Sequence, residues 1–201
     1  LKEYLAIPSI SALPEHAPDV KRAAEWSADE MRRIGMQNVK LIETPGFPVV
    51  YGDWLGAEGA PTILFYGHYD VQPVDPINLW DSPPFEATVR DGEIYARGSA
   101  DDKGQVFMHF KAIEAHLKQN GKLPVNMKII LEGEEEVGSV NLDNFVRDHK
   151  SELDADVVVI SASGMFGRGV PAISSGLRGL ASFPIALRGP LRLSRPIDEG
   201  I

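Results

Sequence analysis

Thr62-Ile63-Leu64-Phe65-Tyr66-Gly67-His68-Tyr69-Asp70 is the stretch on which the fold turns. Thr62 to Gly67 is a continuous apolar run of strand length, the pattern of a strand covered on both faces. Such strands belong to layered α/β folds, where ligands bind outside the carboxyl ends of the strands. His68 and Asp70 stand at that end. A carboxylate two residues beyond a histidine can reach its second ring nitrogen and fix the tautomer for metal binding. Three residues are a weak signal alone, and a turn carrying a surface His and a solvated Asp fits them as well.

Working outward, Val20, Ala24, Ala28 and Met31 recur at steps of four, four and three, which predicts a helix over residues 19–34 that stops at Gly35. A short helix is predicted over residues 1–5, a turn-rich segment over 9–18, and strands over 39–42 and 49–54. The chain starts at Leu1 rather than Met, so its true N-terminus is expected upstream. Residues 86–96 read as a hairpin, because Asp91-Gly92 between two β-prone runs favours a type I′ turn. A second helix is predicted over 102–119, with Val106, Phe110, Ile113 and Leu117 as its buried stripe and Asn120-Gly121 as its stop. Val125, Met127, Ile129 and Leu131 alternate along a strand, a helix over 142–149 leads to a strand over 157–160, and 177–187 is a last strand candidate. Strands alternating with helices predict an α/β layer fold around a largely parallel sheet.

Composition narrows the function. Lys and Arg number 20 against 29 Asp and Glu, a formal charge of −9 at pH 7, so a phosphate backbone is repelled and no nucleic-acid partner is expected. The last stretch, from Arg178 to Ile201, is locally basic in this acidic chain. There is no Cys, which excludes a disulfide scaffold, a thiolate metal site and a cysteine nucleophile, and agrees with a reducing, cytoplasmic location. No apolar run approaches the 18 or so residues of a membrane span, so no membrane partner is expected.

Two more motifs could carry chemistry. Ala96-Arg97-Gly98-Ser99-Ala100-Asp101-Asp102-Lys103-Gly104 enters the second long helix. Ser99 or Asp101 could simply cap that helix, with Asp102 at its positive end; alternatively Asp101 is a metal ligand. Glu132-Gly133-Glu134-Glu135-Glu136-Val137-Gly138-Ser139 again follows a strand. Four carboxylates within five positions repel one another, and a divalent cation would relieve that repulsion. Adjacent Glu residues also suit a division in which one ligates metal and the other takes a proton from water. One imidazole and several carboxylates without sulfur suit zinc, manganese or cobalt in a hydrolytic site.

These three motifs in this order, with Trp80 and Pro84-Phe85 between the first two, resemble the co-catalytic di-zinc exopeptidase family. It includes carnosinase-like dipeptidases, aminoacylases, succinyl-diaminopimelate desuccinylase and glutamate carboxypeptidase. Gly67-His68-Tyr69-Asp70-Val71-Gln72-Pro73, the run from Arg97-Gly98 to Gly104, and Glu135-Glu136 carry the resemblance, which looks most like the dipeptidase branch. It implies a three-layer α/β/α catalytic domain with a mostly parallel mixed sheet, present here in part. Residues 1–189 would be the N-terminal part of the metallopeptidase catalytic domain, and 190–201 an unaligned tail or the start of a lid and dimerisation domain. By the same resemblance, His68 would bind one metal, Asp101 would bridge two, and Glu136 would bind the second. Glu135 would be the general base and Asp70 would orient His68. The implied reaction is hydrolysis of a peptide or amide bond in a dipeptide-like or N-acyl amino acid substrate, with two zinc ions per site and a homodimer as the full-length assembly.

The sequence departs from the family twice. Where members carry an acidic ligand after the strand at 157–160, this chain has Ser161-Ala162-Ser163, and a methyl group cannot ligate. Asp156 stands at the far end of that strand, roughly 20 Å away at about 3.3 Å per residue, and cannot substitute. Members also continue from Arg-Gly-Pro into a lid and a second half that supplies a further metal-binding His, whereas Arg188-Gly189-Pro190 leads here into a stretch that does not align. His109 and His116 are expected to pack on or face out from their helix, and His16 and His149 to be solvated. The leading expectation is an impaired metal-dependent peptidase site. The alternatives are a non-catalytic metal-binding or interaction module of the same descent, and an α/β domain whose acids bind nothing.

Overall fold

Proline shapes the entry to the first long helix. The computed structural model describes residues 1–167, 169, 170, 172, 173, 176 and 179. In it a short helix, α1 (Lys2–Leu5), is followed by a 3-10 turn over Pro14–His16 that runs directly into α2 (Ala17–Ile34), whose second residue is Pro18. A proline there removes no helical hydrogen bond, because the first-turn N–H groups have no partner within the helix. The helix therefore begins at Ala17, two residues ahead of the expected Asp19. It buries Val20, Ala23, Ala24, Ala28 and Met31 along one face and ends where expected, at Gly35 with φ +99°. There the N–H of Gly35 donates to Arg32 and that of Met36 to Met31, satisfying the last carbonyls of the helix.

The strands β1 (Gln37–Ile42), β2 (Val49–Trp54), β3 (Thr62–His68), β6 (Asn126–Glu132) and β7 (Val157–Ile160) form one sheet in the order β1-β2-β6-β3-β7. β2 pairs antiparallel with both β1 and β6, while β3 pairs parallel with β6 and β7, so four strands point one way and β2 runs against them. The sheet is thus mixed and mostly parallel. Between β3 and β6, a two-stranded hairpin pairs β4 (Thr88–Arg90) with β5 (Glu93–Tyr95). Asp91 and Gly92 at its tip both have positive φ, 51° and 79°, the backbone that a type I′ turn requires. After the hairpin comes α3 (Lys103–Asn120), which ends at Gly121 with φ +68°, and after β6 comes α4 (Leu142–Asp148).

Alternation along the strands divides the core in two. Val50, Phe65, Ile129 and Leu131 pack with Val20, Ala24 and Met31 of α2 and Val106, Phe110 and Ile113 of α3. Their neighbours Val49, Tyr51, Leu64 and Ile130 pack on the opposite side with Phe145 of α4 and Leu153. That arrangement is the three-layer α/β/α sandwich, with α2 and α3 on one face and α4 on the other. Leu1–Gly164 form one compact unit and Met165–Ile201 a second, in which Gly167 and Val170 make an isolated bridge. The strand expected over 177–187 and the domain limit expected at 189 fall on residues outside those described, Gly179 aside. No helix among the described residues is long and apolar enough to cross a membrane.

Candidate metal centre

His68 closes β3, Glu132 closes β6, and the two are register partners in the parallel pairing. The strands therefore release their loops at the same level, at the carboxyl edge where α/β sheets bind ligands. The loop after β3 carries Asp70 and Gln72. The loop after β6 carries Glu134 and a 3-10 turn over Glu135–Val137. A third run, 96–102, arrives at the head of α3. Glycine permits this convergence: a Cβ on Gly67 would lie 2.7 Å from Asp102 Oδ2, and one on Gly104 would lie 2.0 Å from the Ser99 carbonyl oxygen.

His68 is wholly buried, not the surface residue that a plain turn would carry. Its Nδ1 sits 3.1 Å from the Asp70 carbonyl oxygen and 3.2 Å from Asp70 Oδ1. The carbonyl is the better-aligned acceptor, because Oδ1 is left buried without a hydrogen-bond donor. The other ring nitrogen, Nε2, faces Asp101 Oδ1 at 3.0 Å and Glu135 Oε2 at 3.9 Å. Burial pulls the imidazole pKa down. Its hydrogen bond to Asp70 and the charges of Asp70, Asp102 and Glu135 outweigh that and push it up to about 10. The carboxylates of Asp101 and Glu135 thus converge on this one ring nitrogen.

Asp70 is equally buried and joins three segments. Its Oδ2 accepts from Ser11 Oγ at 2.6 Å and from the Glu136 backbone N–H at 3.1 Å, while Oδ1 faces His68. Asp101 remains exposed and caps nothing: the residue before α3 is Asp102, which makes no side-chain capping bond, and Ser99 donates to the Ala96 carbonyl instead. Asp102 is buried, and its Oδ2 accepts from the His68 N–H at 3.2 Å. Burial raises its pKa to about 6 despite the nearby imidazole.

The acidic cluster divides by direction. Glu132 turns inward and accepts from Tyr66 Oη at 2.5 Å and Ser139 Oγ at 2.8 Å. Glu134 accepts from Asn141 Nδ2 at 3.0 and 2.8 Å. Glu135 and Glu136 are half-buried and face the site, and burial raises the Glu136 pKa. Gln72 Nε2 donates to Glu136 Oε2 at 2.6 Å. His68, Glu135 and Glu136 each present a ligand atom, all within 4.8 Å of one another. With Asp101 on the same Nε2, the donor set is one imidazole and three carboxylates, and Asp70 Oδ1 waits without a donor beside the ring. These residues fit a hard or borderline divalent cation.

The other histidines are engaged elsewhere. His16 pairs with Asp19 at 2.8 Å, and His149 stacks on Phe145 and faces Glu152 at 3.2 Å, so neither is the solvated residue expected. His109 packs on Phe65 and sits 2.7 Å from Ser161 Oγ, and His116 is exposed on α3. Asp156 binds the Thr62 N–H at the opposite end of β3. Ser11 had no signal in the sequence, and Gln72 stood in the motif that carries the resemblance without a role of its own: a hydroxyl in a turn-rich segment and an amide in a loop look like surface residues until the fold places them.

The model of the peptidase family M20/M25/M40 matches residues 64–176. The chain belongs to that family. Among its M20 relatives, the cysteinylglycine-S-conjugate dipeptidase of Corynebacterium striatum is 33% identical over 195 residues, covering 95% of this chain and 43% of that protein. A Cys-Gly metallodipeptidase of Candida albicans is 35% identical over 208 residues, covering 94% and 42%. The crystal structure of human carnosine dipeptidase 1 superposes with a TM-score of 0.76 at 34% identity, over 81% of this chain and 37% of that one. The chain spans less than half the length of these relatives. M20 membership implies a metal cofactor.

Proposed function

We infer that this chain supplies the His68, Asp101, Glu135 and Glu136 part of a metal-dependent site that hydrolyses the amide bond of a dipeptide-like or N-acyl amino acid substrate. The observation that carries the reading is the convergence on His68 Nε2, with Asp101 Oδ1 at 3.0 Å and Glu135 Oε2 at 3.9 Å. His68, Asp101 and Glu136 are the metal ligands in this reading, and zinc is the favoured ion, with manganese or cobalt as substitutes. A bound divalent cation supplies Lewis-acid polarisation of the scissile carbonyl and lowers the pKa of water.

The chain's own residues do the rest. Asp70 holds the Nδ1 proton of His68 through its carbonyl and leaves Nε2 free as a donor. Glu135, further from Nε2 than Asp101, is the general base: its carboxylate takes a proton from the attacking water and delivers it to the leaving amine nitrogen. Gln72 holds Glu136 Oε2 and leaves the second carboxylate oxygen for ligation.

Turnover by these 201 residues is impaired in this reading. β7 ends at Ile160, paired with Tyr66, and two residues on, where the family carries an acidic ligand, stands Ala162, whose methyl cannot ligate. Ala162 also favours a second reading, a metal-binding module without catalysis. Cytoplasmic location and a homodimer belong to the full-length protein in the same proposal. The test is a dipeptide panel assayed with the purified chain and added zinc, manganese or cobalt, alongside elemental analysis. Weak metal retention with slow or no turnover is expected. Robust turnover would sink the impairment, and no retained metal at all would sink the site.

A further inference from the structure

The first eleven residues are stitched to the loop that carries His68 and Asp70. Ser9 Oγ donates to the Tyr69 carbonyl at 2.7 Å, the Val71 N–H donates back to the Ser9 carbonyl at 2.9 Å, and Ile10 bridges Val71 in parallel. Between these contacts Ser11 Oγ donates to Asp70 Oδ2 at 2.6 Å. That oxygen has one other donor, the Glu136 backbone N–H at 3.1 Å. Asp70 therefore meets three segments at once: the N-terminal strap through Ser11, the β3 loop through His68, and the β6 loop through Glu136.

We propose that Ser11 is a positioning residue of the metal centre: its hydroxyl fixes the plane of the Asp70 carboxylate, which keeps Oδ1 from drawing the His68 Nδ1 proton off the Asp70 carbonyl and holds the backbone of Glu136. This inference rests on the metal reading above. The physical reason is that Asp70 is wholly buried and that a short bond to a charged oxygen is among the stronger hydrogen bonds. Without Ser11 the carboxylate keeps one donor, the amide of Glu136. It can then turn toward the His68 Nδ1 proton, tilting the ring and moving Nε2 away from Asp101. Orienting groups of this kind typically change metal affinity by 10- to 100-fold.

The test uses the full 201-residue chain with Ser11→Ala, Ser11→Thr, Asp70→Asn, and the Ser11→Ala/Asp70→Asn double variant. Zinc affinity is measured by calorimetry, and the His68 ring nitrogens are followed by NMR in the metal-free chain at fixed pH. Ser11→Ala is expected to weaken zinc binding by about tenfold and to shift the His68 ring signals, and Ser11→Thr to restore both. In the Asp70→Asn background, Ser11→Ala is expected to have no further effect on affinity. Unchanged affinity and unchanged ring signals in Ser11→Ala would overturn the proposal, as would an equal additional loss in the double variant. If the unaltered chain binds no zinc, the metal reading fails, and the ring signals of the metal-free variants still decide the role of Ser11.

Discussion

Lys103 Nζ donates to the Ile7 carbonyl at 2.7 Å, and the same ammonium donates to the Tyr4 carbonyl at 3.1 Å and lies 5.0 Å from the Tyr4 ring centroid. The lysine is fully buried, as the first residue of α3 directly after Asp101 and Asp102. One side chain thus joins the head of α3 to the segment leaving α1. The same segment reaches Asp70 through Ser11, so the two arms of the candidate centre share one anchor.

Replacing Lys103 by Met keeps the volume and removes a charged donor from two carbonyls that each keep a backbone donor, the Ser9 N–H to Ile7 at 2.9 Å and the Ile7 N–H to Tyr4 at 3.3 Å. The loss should therefore be that of hydrogen bonds from a charged donor and not of orphaned groups, on the order of 1–3 kcal/mol. Urea unfolding of the metal-free chain measures it. A loss below about 0.5 kcal/mol would mean that the backbone donors alone satisfy both carbonyls.

Glu135→Gln keeps the shape of the side chain and removes its capacity to take a proton. Any hydrolysis by the unaltered chain should fall by at least about 100-fold, the lower range for a lost general base, while zinc affinity changes little. A parallel fall in metal affinity would instead make Glu135 a ligand.

Ala162→Asp restores a carboxylate two residues after β7, where the family carries an acidic ligand. Zinc retained after dialysis, read by elemental analysis, should rise in the variant. Equal retention would show that residue 162 does not reach the centre.

Glu114 on α3 collects three cations: Arg33 Nη1 at 2.8 Å, Lys111 Nζ at 2.7 Å and Lys118 Nζ at 2.7 Å. Arg33 first, then the two lysines, hold its carboxyl well below the ordinary value of 4.5. A carboxyl with a lowered folded pKa stabilises the fold above its unfolded value and ceases to do so as pH falls through the folded one. The unfolding free energy of Glu114→Gln should therefore lie about 1 kcal/mol below that of the unaltered chain above pH 4.5, with the gap closing as pH falls further. A gap that widens in acid would contradict this.

Much of the layer order and three of the site's arms were legible because each has a local cause. Alternation marks β6, the α2 stripe has helical spacing, and Gly35 and Gly121 adopt the left-handed backbone that ends a helix. His68, Asp101 and the Glu135-Glu136 pair stand directly after strands or before a helix, where chain connectivity alone sets their place. The contacts that brace them were not legible. Ser11 and Asp70 lie 59 residues apart, and Lys103 and Ile7 lie 96 apart. No periodicity encodes such a pairing, which exists only once the strap lies along the β3 loop. That Glu132 and Glu134 turn to partners of their own was not legible for a related reason: side-chain direction in a turn depends on residues such as Tyr66 and Asn141.

The strap has a thermodynamic consequence. Docking of residues 4–11 and cation binding share Asp70, so they are linked equilibria, and whatever factor one contributes to the other is returned in full. A cation at His68 should slow amide exchange at Ser9 and Ile10, and undocking of residues 4–11 should weaken cation binding. In the proposed centre this segment would act as an effector, although it supplies none of the proposed ligands.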